Sequence, residues 1–175
     1  MIDKKETRRF YEITSNSYDE LYGDEQKEKY QCIFEIVKEV KGNVLDLGCG
    51  SGMFEQNIKT EDGCLLFAVD FSLKLLDKAK EKLAGRNNVF LICGDAEWLP
   101  FQEKIFDFSF SFTVFQNLPN PSATAKELRR VLKKDGIVVL TYLKKSMSSK
   151  ISDLFENYEI FNFQKLNEYI IKVKI

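Results

Sequence analysis

The stretch Val44-Leu45-Asp46-Leu47, followed by Gly48-Cys49-Gly50-Ser51-Gly52, constrains this chain more than any other. An apolar run this short, with almost no residue left for a solvated face, reads as a buried parallel strand. Alternating glycines at its end give a tight turn whose bare backbone lets a ligand approach the main chain. A helical pattern from Ser51 then aims its unpaired amides at that ligand. Two ligand classes use such a turn. Dinucleotide sites space their glycines as G-x-G-x-x-G, but here the third glycine falls one residue early and Met53 takes its place, which weighs against NAD. Asp46, just ahead of the loop, offers an acceptor to an ammonium group, as a ligand with an amino-acid end requires.

Composition narrows the chemistry. At 175 residues, 44% hydrophobic and 30% charged, the chain is expected to form one domain over residues 1–175. Its parts would be an N-terminal lid and helix (1–41), a cofactor-binding core (42–143) and a C-terminal helix with a hairpin (144–175). A net charge of -1 gives no global attraction to nucleic acid. Cys32, Cys49, Cys64 and Cys93 stand singly, so neither a zinc site nor a disulfide framework is expected. Histidine is absent. A general base must therefore be Asp, Glu, Lys, Tyr or a thiolate, and no metal is expected. No apolar segment reaches membrane-spanning length and the first nine residues are polar, so the expected location is the cytoplasm, away from membranes.

Along the chain, strand and helix patterns alternate. Phe10, Tyr11, Tyr18 and Tyr22 punctuate a polar N-terminal stretch that Ser15-Asn16-Ser17 interrupts, and Tyr22-Gly23-Asp24 reads as a second boundary. Asp24 would cap a helix over 25–41 with Tyr30, Ile33, Phe34, Val37 and Val40 as its stripe, closed by Gly42. Helices are expected over 51–60, from Ser72, over 122–133 and over 151–158. Strands are expected at 64–69, 89–93, 105–112 and 137–142. Residues 160–175 read as a hairpin turning near Leu166-Asn167. Asp70 ends the second strand about 20 residues past the glycine loop, where a carboxylate holds a ribose diol, and Phe71 follows it. The basic stretches 126–134 and 144–150 read as solvated faces.

Four blocks carry a resemblance. Asp46-x-Gly48-x-Gly50-x-Gly52, then Asp70, then Gly94-Asp95-Ala96-Glu97-Trp98-Leu99-Pro100-Phe101, then Phe106-Asp107 with Ser111, Pro119 and Pro121 follow in order. Over about residues 18–141 the sequence resembles the class I S-adenosylmethionine-dependent methyltransferases, in particular the small type 11 group. That resemblance implies an α/β, Rossmann-like fold: a mostly parallel seven-stranded sheet in the order 3-2-1-4-5-7-6, one strand reversed in a C-terminal hairpin, helices on both faces. It implies S-adenosyl-L-methionine as cofactor, S-adenosyl-L-homocysteine as product, and cofactor contacts from Asp46, Gly48, Cys49, Gly50, Gly52, Asp70, Phe71, Asp95, Ala96 and Ser111. Asp70 would hold the ribose, Asp95 the adenine amino group and the Ala96 amide a ring nitrogen, while Tyr18 or Tyr22 covers the cofactor or simply packs on the domain. Gln116-Asn117 replaces two histidines frequent in the family, so these residues can orient a polar group but cannot take its proton. Substrate-side candidates are Tyr18, Ser111, Gln116 and Asn117. The expected acceptor is an N, O or S atom of a small molecule. A tRNA or protein substrate with a partner subunit, a non-catalytic cofactor-binding subunit and an NAD enzyme remain as alternatives, and the sequence leaves the oligomeric state open.

Overall fold

The computed structural model describes residues 3–146 and 150–175. In chain order its elements are α1 (Lys4–Thr14), α2 (Tyr18–Ile36), β1 (Asn43–Leu47), α3 (Met53–Asn57), β2 (Leu65–Asp70), α4 (Leu73–Lys82) and β3 (Val89–Cys93). They continue with β4 (Phe106–Ser111), α5 (Pro121–Val131), β5 (Leu132–Leu143), α6 (Lys150–Leu154), β6 (Tyr158–Phe161) and β7 (Glu168–Lys174). The strands form one sheet in the order β3-β2-β1-β4-β5-β7-β6. The first five run parallel, and β7 pairs antiparallel with both β5 and β6. This is the order and the terminal hairpin that the sequence led us to expect.

Alternation along each strand splits the core into two layers. Leu45, Leu47, Leu140 and Ile171 pack with Leu128 and Val131 of α5 and with Leu154 of α6. On the other face Val44, Leu66, Phe110 and Val139 pack with Tyr30 and Ile33 of α2 and with Phe54 of α3. A strand buried on both faces needs helices over both, which the crossovers supply.

Several boundaries differ from the sequence reading. The second helix starts at Tyr18 and passes through Gly23 where a break was expected, with Asp19 and Glu20 in its first turn. Acids there complement the helix dipole, while one internal glycine costs only about 1 kcal/mol. It stops at Ile36, five residues short of the expected end, because Val37 turns extended and Val37 and Val40 are buried against the core. Gly42 therefore does not cap the helix. It sits at φ +74, where an added Cβ would fall 2.2 Å from Asp107 Oδ2, the atom that accepts from the Asn43 amide at 2.9 Å. Helix α3 is shorter than expected because Ser51 and Gly52 stay in the turn. Asn120, with Pro121 behind it, caps α5. Lys134-Asp135-Gly136, left between the expected helix 122–133 and strand 137–142, forms a bulge inside β5, where pairing with β4 jumps from Leu132 to Ile137. The basic stretch 144–150 includes residues 147–149, which lie outside the described residues.

Candidate active site

The C-terminal ends of the parallel strands open into a cavity of about 340 Å³ beneath α1 and α2. Open α/β sheets bind ligands along this edge. At the end of β1, the Gly48 amide donates to the Val69 carbonyl at 2.8 Å. A Cβ on Gly48 would come 2.3 Å from Val114 Cγ2, so only glycine lets Val114 lie on the turn. Gly50 lies under the Tyr18 ring, whose nearest atoms would be 3.3 Å from an added Cβ.

Asp70 ties the loop to the next strand. Its Oδ2 accepts from the Gly50 amide at 2.9 Å and its Oδ1 from the Ser72 amide at 2.8 Å. Burial pushes its carboxyl up, while the amides of Ser72, Gly50 and Phe71 pull it back down. Each oxygen keeps a lone pair for a further donor. Phe71 lines the cavity and meets the Tyr11 ring at 6.3 Å. Asp95, at the end of β3, also lines it: Oδ1 accepts from the Glu97 amide at 2.9 Å and Oδ2 from Lys4 Nζ at 2.7 Å. Lys4 bridges on to Glu97 at 2.9 Å, so the start of α1 is latched across this end of the cavity. A second latch joins Asp19 of α2 to the loop residue Ser51 and to Lys82, whose Nζ stands 2.5 Å from Asp19 and 3.0 Å from Ser51 Oγ.

A family model for the methyltransferase domain, type 11, matches residues 45–140, which include every strand end described above as far as β4. The chain belongs to that family. Among curated relatives it is 36% identical, over 79% of its length, to an uncharacterised protein of Methanocaldococcus jannaschii, covering 52% of that protein. It is 30% identical over 95% of its length to a malonyl-[acyl-carrier protein] O-methyltransferase of Marinomonas sp., covering 62%. It is 31% identical over 78% of its length to a demethylmenaquinone methyltransferase of Staphylococcus aureus, covering 60%. The chain thus spans about half to six-tenths of these relatives. Among solved structures, a SAM-dependent methyltransferase of Thermotoga maritima superposes with a TM-score of 0.74 at 18% identity, over 95% of this chain and 98% of that one. One from Aquifex aeolicus gives 0.67 at 20% identity, over 83% and 87%. At these identities the structures share the fold.

Within this methyltransferase domain the residues singled out from sequence divide in two. Gly48, Asp70, Phe71, Asp95, Ala96, Tyr18 and Asn117 line the cavity. Asp46, Cys49, Gly50, Gly52, Ser111 and Gln116 are not in its lining, for separate reasons. Asp46, expected to meet an ammonium group, is buried beside Glu55. Drawn as two carboxylates, these side chains lack a donor, and a single proton on Asp46, donated to Glu55, resolves this. Burial first, and the Glu55 charge second, push the Asp46 carboxyl well up and keep that proton in place. The Cys49 thiol is buried with Ala68 and Leu76, and burial holds it neutral. Gly52 serves packing: at φ +76, an added Cβ would meet Leu83 Cδ1 at 2.8 Å and Ala79 Cβ at 3.1 Å on α4. Ser111 is fully buried, and its hydroxyl donates to the Leu47 carbonyl at 3.2 Å, joining β4 to β1. The Gln116 amide is buried with neither end hydrogen bonded. Asn117 Nδ2 donates to the Thr113 carbonyl at 2.8 Å, with the Tyr11 hydroxyl at 3.5 Å. Trp98, within the Gly94–Phe101 block, is 79% exposed.

Sequence reasoning missed one cluster behind this wall. Lys29 Nζ lies 2.5 Å from Glu168 Oε2 and 2.9 Å from Thr113 Oγ1, and Thr113 donates to Glu168 Oε1 at 2.6 Å. Lys29 and Glu168 are each 1% exposed. The network holds Thr113 at φ +62, a conformation a β-branched residue keeps only when its surroundings impose it. The available signal was Lys29 falling in register with Tyr22, Gln26 and Ile33 on the inward face of α2.

Proposed function

We propose that this chain binds S-adenosyl-L-methionine along β1, β2 and β3 and directs its methyl group to an N, O or S atom of a small molecule, releasing S-adenosyl-L-homocysteine. The observation that carries the reading is Asp70, a buried carboxylate whose Oδ2 fixes the Gly50 turn and whose Oδ1 holds the Ser72 amide, with a second lone pair on each oxygen for a further donor. A vicinal diol is the donor pair such a group suits. Asp95 supplies an acceptor for an exocyclic amine on the neighbouring strand, and Phe71 lines the same cavity as a flat apolar wall. When bound, the cofactor supplies a methyl group already activated by its sulfonium. The chain's own part is then alignment and exclusion of water. Tyr11, Tyr18 and Tyr22 roof the cavity for this, and burial keeps the Tyr11 and Tyr18 phenols protonated as neutral walls.

A small acceptor suits a cavity of about 340 Å³, and two relatives are named for methylating malonyl-[acyl-carrier protein] and demethylmenaquinone. A second reading, in which a partner subunit completes the enzyme, has its support in Phe90, exposed on the edge strand β3, and Trp98, exposed in the segment that follows it. One structural neighbour, at TM-score 0.75, comes from a complex of the Haloferax volcanii Trm112 methyltransferase activator with a methyltransferase. Among the described residues no helix is long and apolar enough to cross a membrane.

Titration calorimetry with S-adenosylmethionine, S-adenosylhomocysteine and NAD tests the cofactor. The first two should bind and NAD should not. Asp70→Ala removes two hydrogen bonds to a charged acceptor and should weaken binding by about 100-fold or more. Binding of NAD, or unchanged affinity in Asp70→Ala, overturns the proposal.

A further inference from the structure

The half of the cavity beyond β4 differs chemically from the half near Asp70. Its walls are Phe112, Thr113 and Asn117 after β4, and Tyr22, Glu25 and Gln26 from α2. Its polar atoms are mostly acceptors. Asn117 spends its Nδ2 on the Thr113 carbonyl, which leaves Oδ1 for a donor. Gln26 is buried, and its carboxamide oxygen has no donor. Glu25 adds an exposed carboxylate at the mouth. The Thr113 hydroxyl is already committed to Glu168 and Lys29.

Free cations are missing from this half. Among the described residues Lys4 is the one basic residue in the cavity lining, and it stands at the far end bridging Asp95 and Glu97. Lys29, one turn behind Gln26, is closed off by Glu168. An acceptor bearing a carboxylate or phosphate would be desolvated here with no counter-charge. A strong base is missing too. The chain has no histidine, and the Tyr11 and Tyr18 phenols stay protonated. An alcohol or phenol would find only the Glu25 carboxylate, exposed at the mouth and a far weaker base than an alkoxide or phenoxide, and an alkylammonium would keep its lone pair occupied.

We propose that the methyl acceptor is the nitrogen of a small aromatic or heteroaromatic amine, neutral at pH 7. Its N–H groups are taken by Gln26 and Asn117, and its ring lies among Tyr18, Tyr22 and Phe112. The assignment rests on the cofactor reading above. In the step, the nitrogen lone pair forms the new N–C bond as the C–S bond breaks, and the C–S electron pair stays on sulfur, giving a neutral thioether. The positive charge passes to nitrogen, and a proton then leaves for solvent. Through this step Glu25, the two amide oxygens and the faces of the tyrosine rings oppose the developing charge.

The test uses S-adenosylmethionine labelled in its methyl group, with aniline, 4-methylaniline and 2-aminopyridine against phenol, benzoate and benzylamine at pH 7.5. Methylated product is expected from the first three and at least tenfold less from the others. Gln26→Leu and Asn117→Leu should each lower kcat/KM for the reacting amine by about tenfold, while S-adenosylhomocysteine affinity stays within about twofold of wild type. Gln26→Glu keeps an acceptor and should restore transfer. Methylation of phenol or benzoate at or above the amine rate, or of none of the three aromatic amines, overturns the assignment. Failure to bind S-adenosylhomocysteine instead overturns the cofactor reading.

Discussion

Lys29→Met should be among the most damaging single changes outside the cavity lining, and the size of the effect follows from the burial of its partner. Glu168 Oε2 is held by Lys29 at 2.5 Å, and its other oxygen accepts only from Thr113 at 2.6 Å. Removing the ammonium strands a carboxylate that is 1% exposed. Breaking a buried pair from one side typically costs about 3–5 kcal/mol, since the remaining charge is neither solvated nor paired. At this chain length that corresponds to a fall in Tm of roughly 6–20 °C. Lys29→Met combined with Glu168→Gln leaves no charge and keeps an amide oxygen for Thr113, so the pair of changes should cost about 2–3 kcal/mol less than the sum of the single ones. Urea denaturation of the four proteins, followed by circular dichroism, closes the cycle; Trp98 is too exposed to report by fluorescence. A Lys29→Met cost below about 1 kcal/mol, or strict additivity in the double variant, would refute a buried, mutually dependent pair.

Two further changes probe the loop. Gly52→Ala forces a side chain into φ +76 and into Leu83 and Ala79, so it should cost about 2 kcal/mol in urea, and an unchanged midpoint would mean α4 does not pack on the turn as described. Burial raises the Asp46 and Glu55 carboxyls, and an acid raised by folding stabilises fully below its unfolded pKa and loses that contribution as pH rises through the folded value. Wild-type stability should therefore fall relative to Glu55→Gln as pH increases above about 4, and parallel stability curves would show that the two carboxyls do not share a proton.

The parts of this architecture that show in the sequence are those in which a residue's type and its immediate neighbours set its position. Apolar runs that stop at Asp70 and Gly94 mark where parallel strands leave the sheet, so the acids of that edge could be named with no coordinates. Gly48 was legible for the same reason, since its turn tolerates no side chain. Where local and tertiary signals conflict, the sequence misleads. Tyr22-Gly23-Asp24 has the composition of a turn, yet Asp19 held by Ser51 and Lys82 before Gly23, and Tyr30 and Ile33 packed in the core after it, carry α2 through it. Asp46 and Glu55 each look like solvated or ligand-facing acids, and only the close approach of α3 to β1 makes them a proton-sharing pair. Lys29 and Glu168 sit near opposite ends of the chain, so nothing local to either announces the other. Ser111 illustrates a further limit: a motif fixes its place on β4, but the direction of its hydroxyl depends on the β1 carbonyl beside it.

A crystal structure with S-adenosylhomocysteine bound bears most directly on the cavity's use. Both ribose hydroxyls should lie within hydrogen-bonding distance of Asp70, with the adenine against Phe71 and its amino group on Asp95 in place of Lys4. Density for the nucleoside anywhere other than above the Gly48–Gly50 turn, or a ribose that leaves Asp70 untouched, would contradict the assignment.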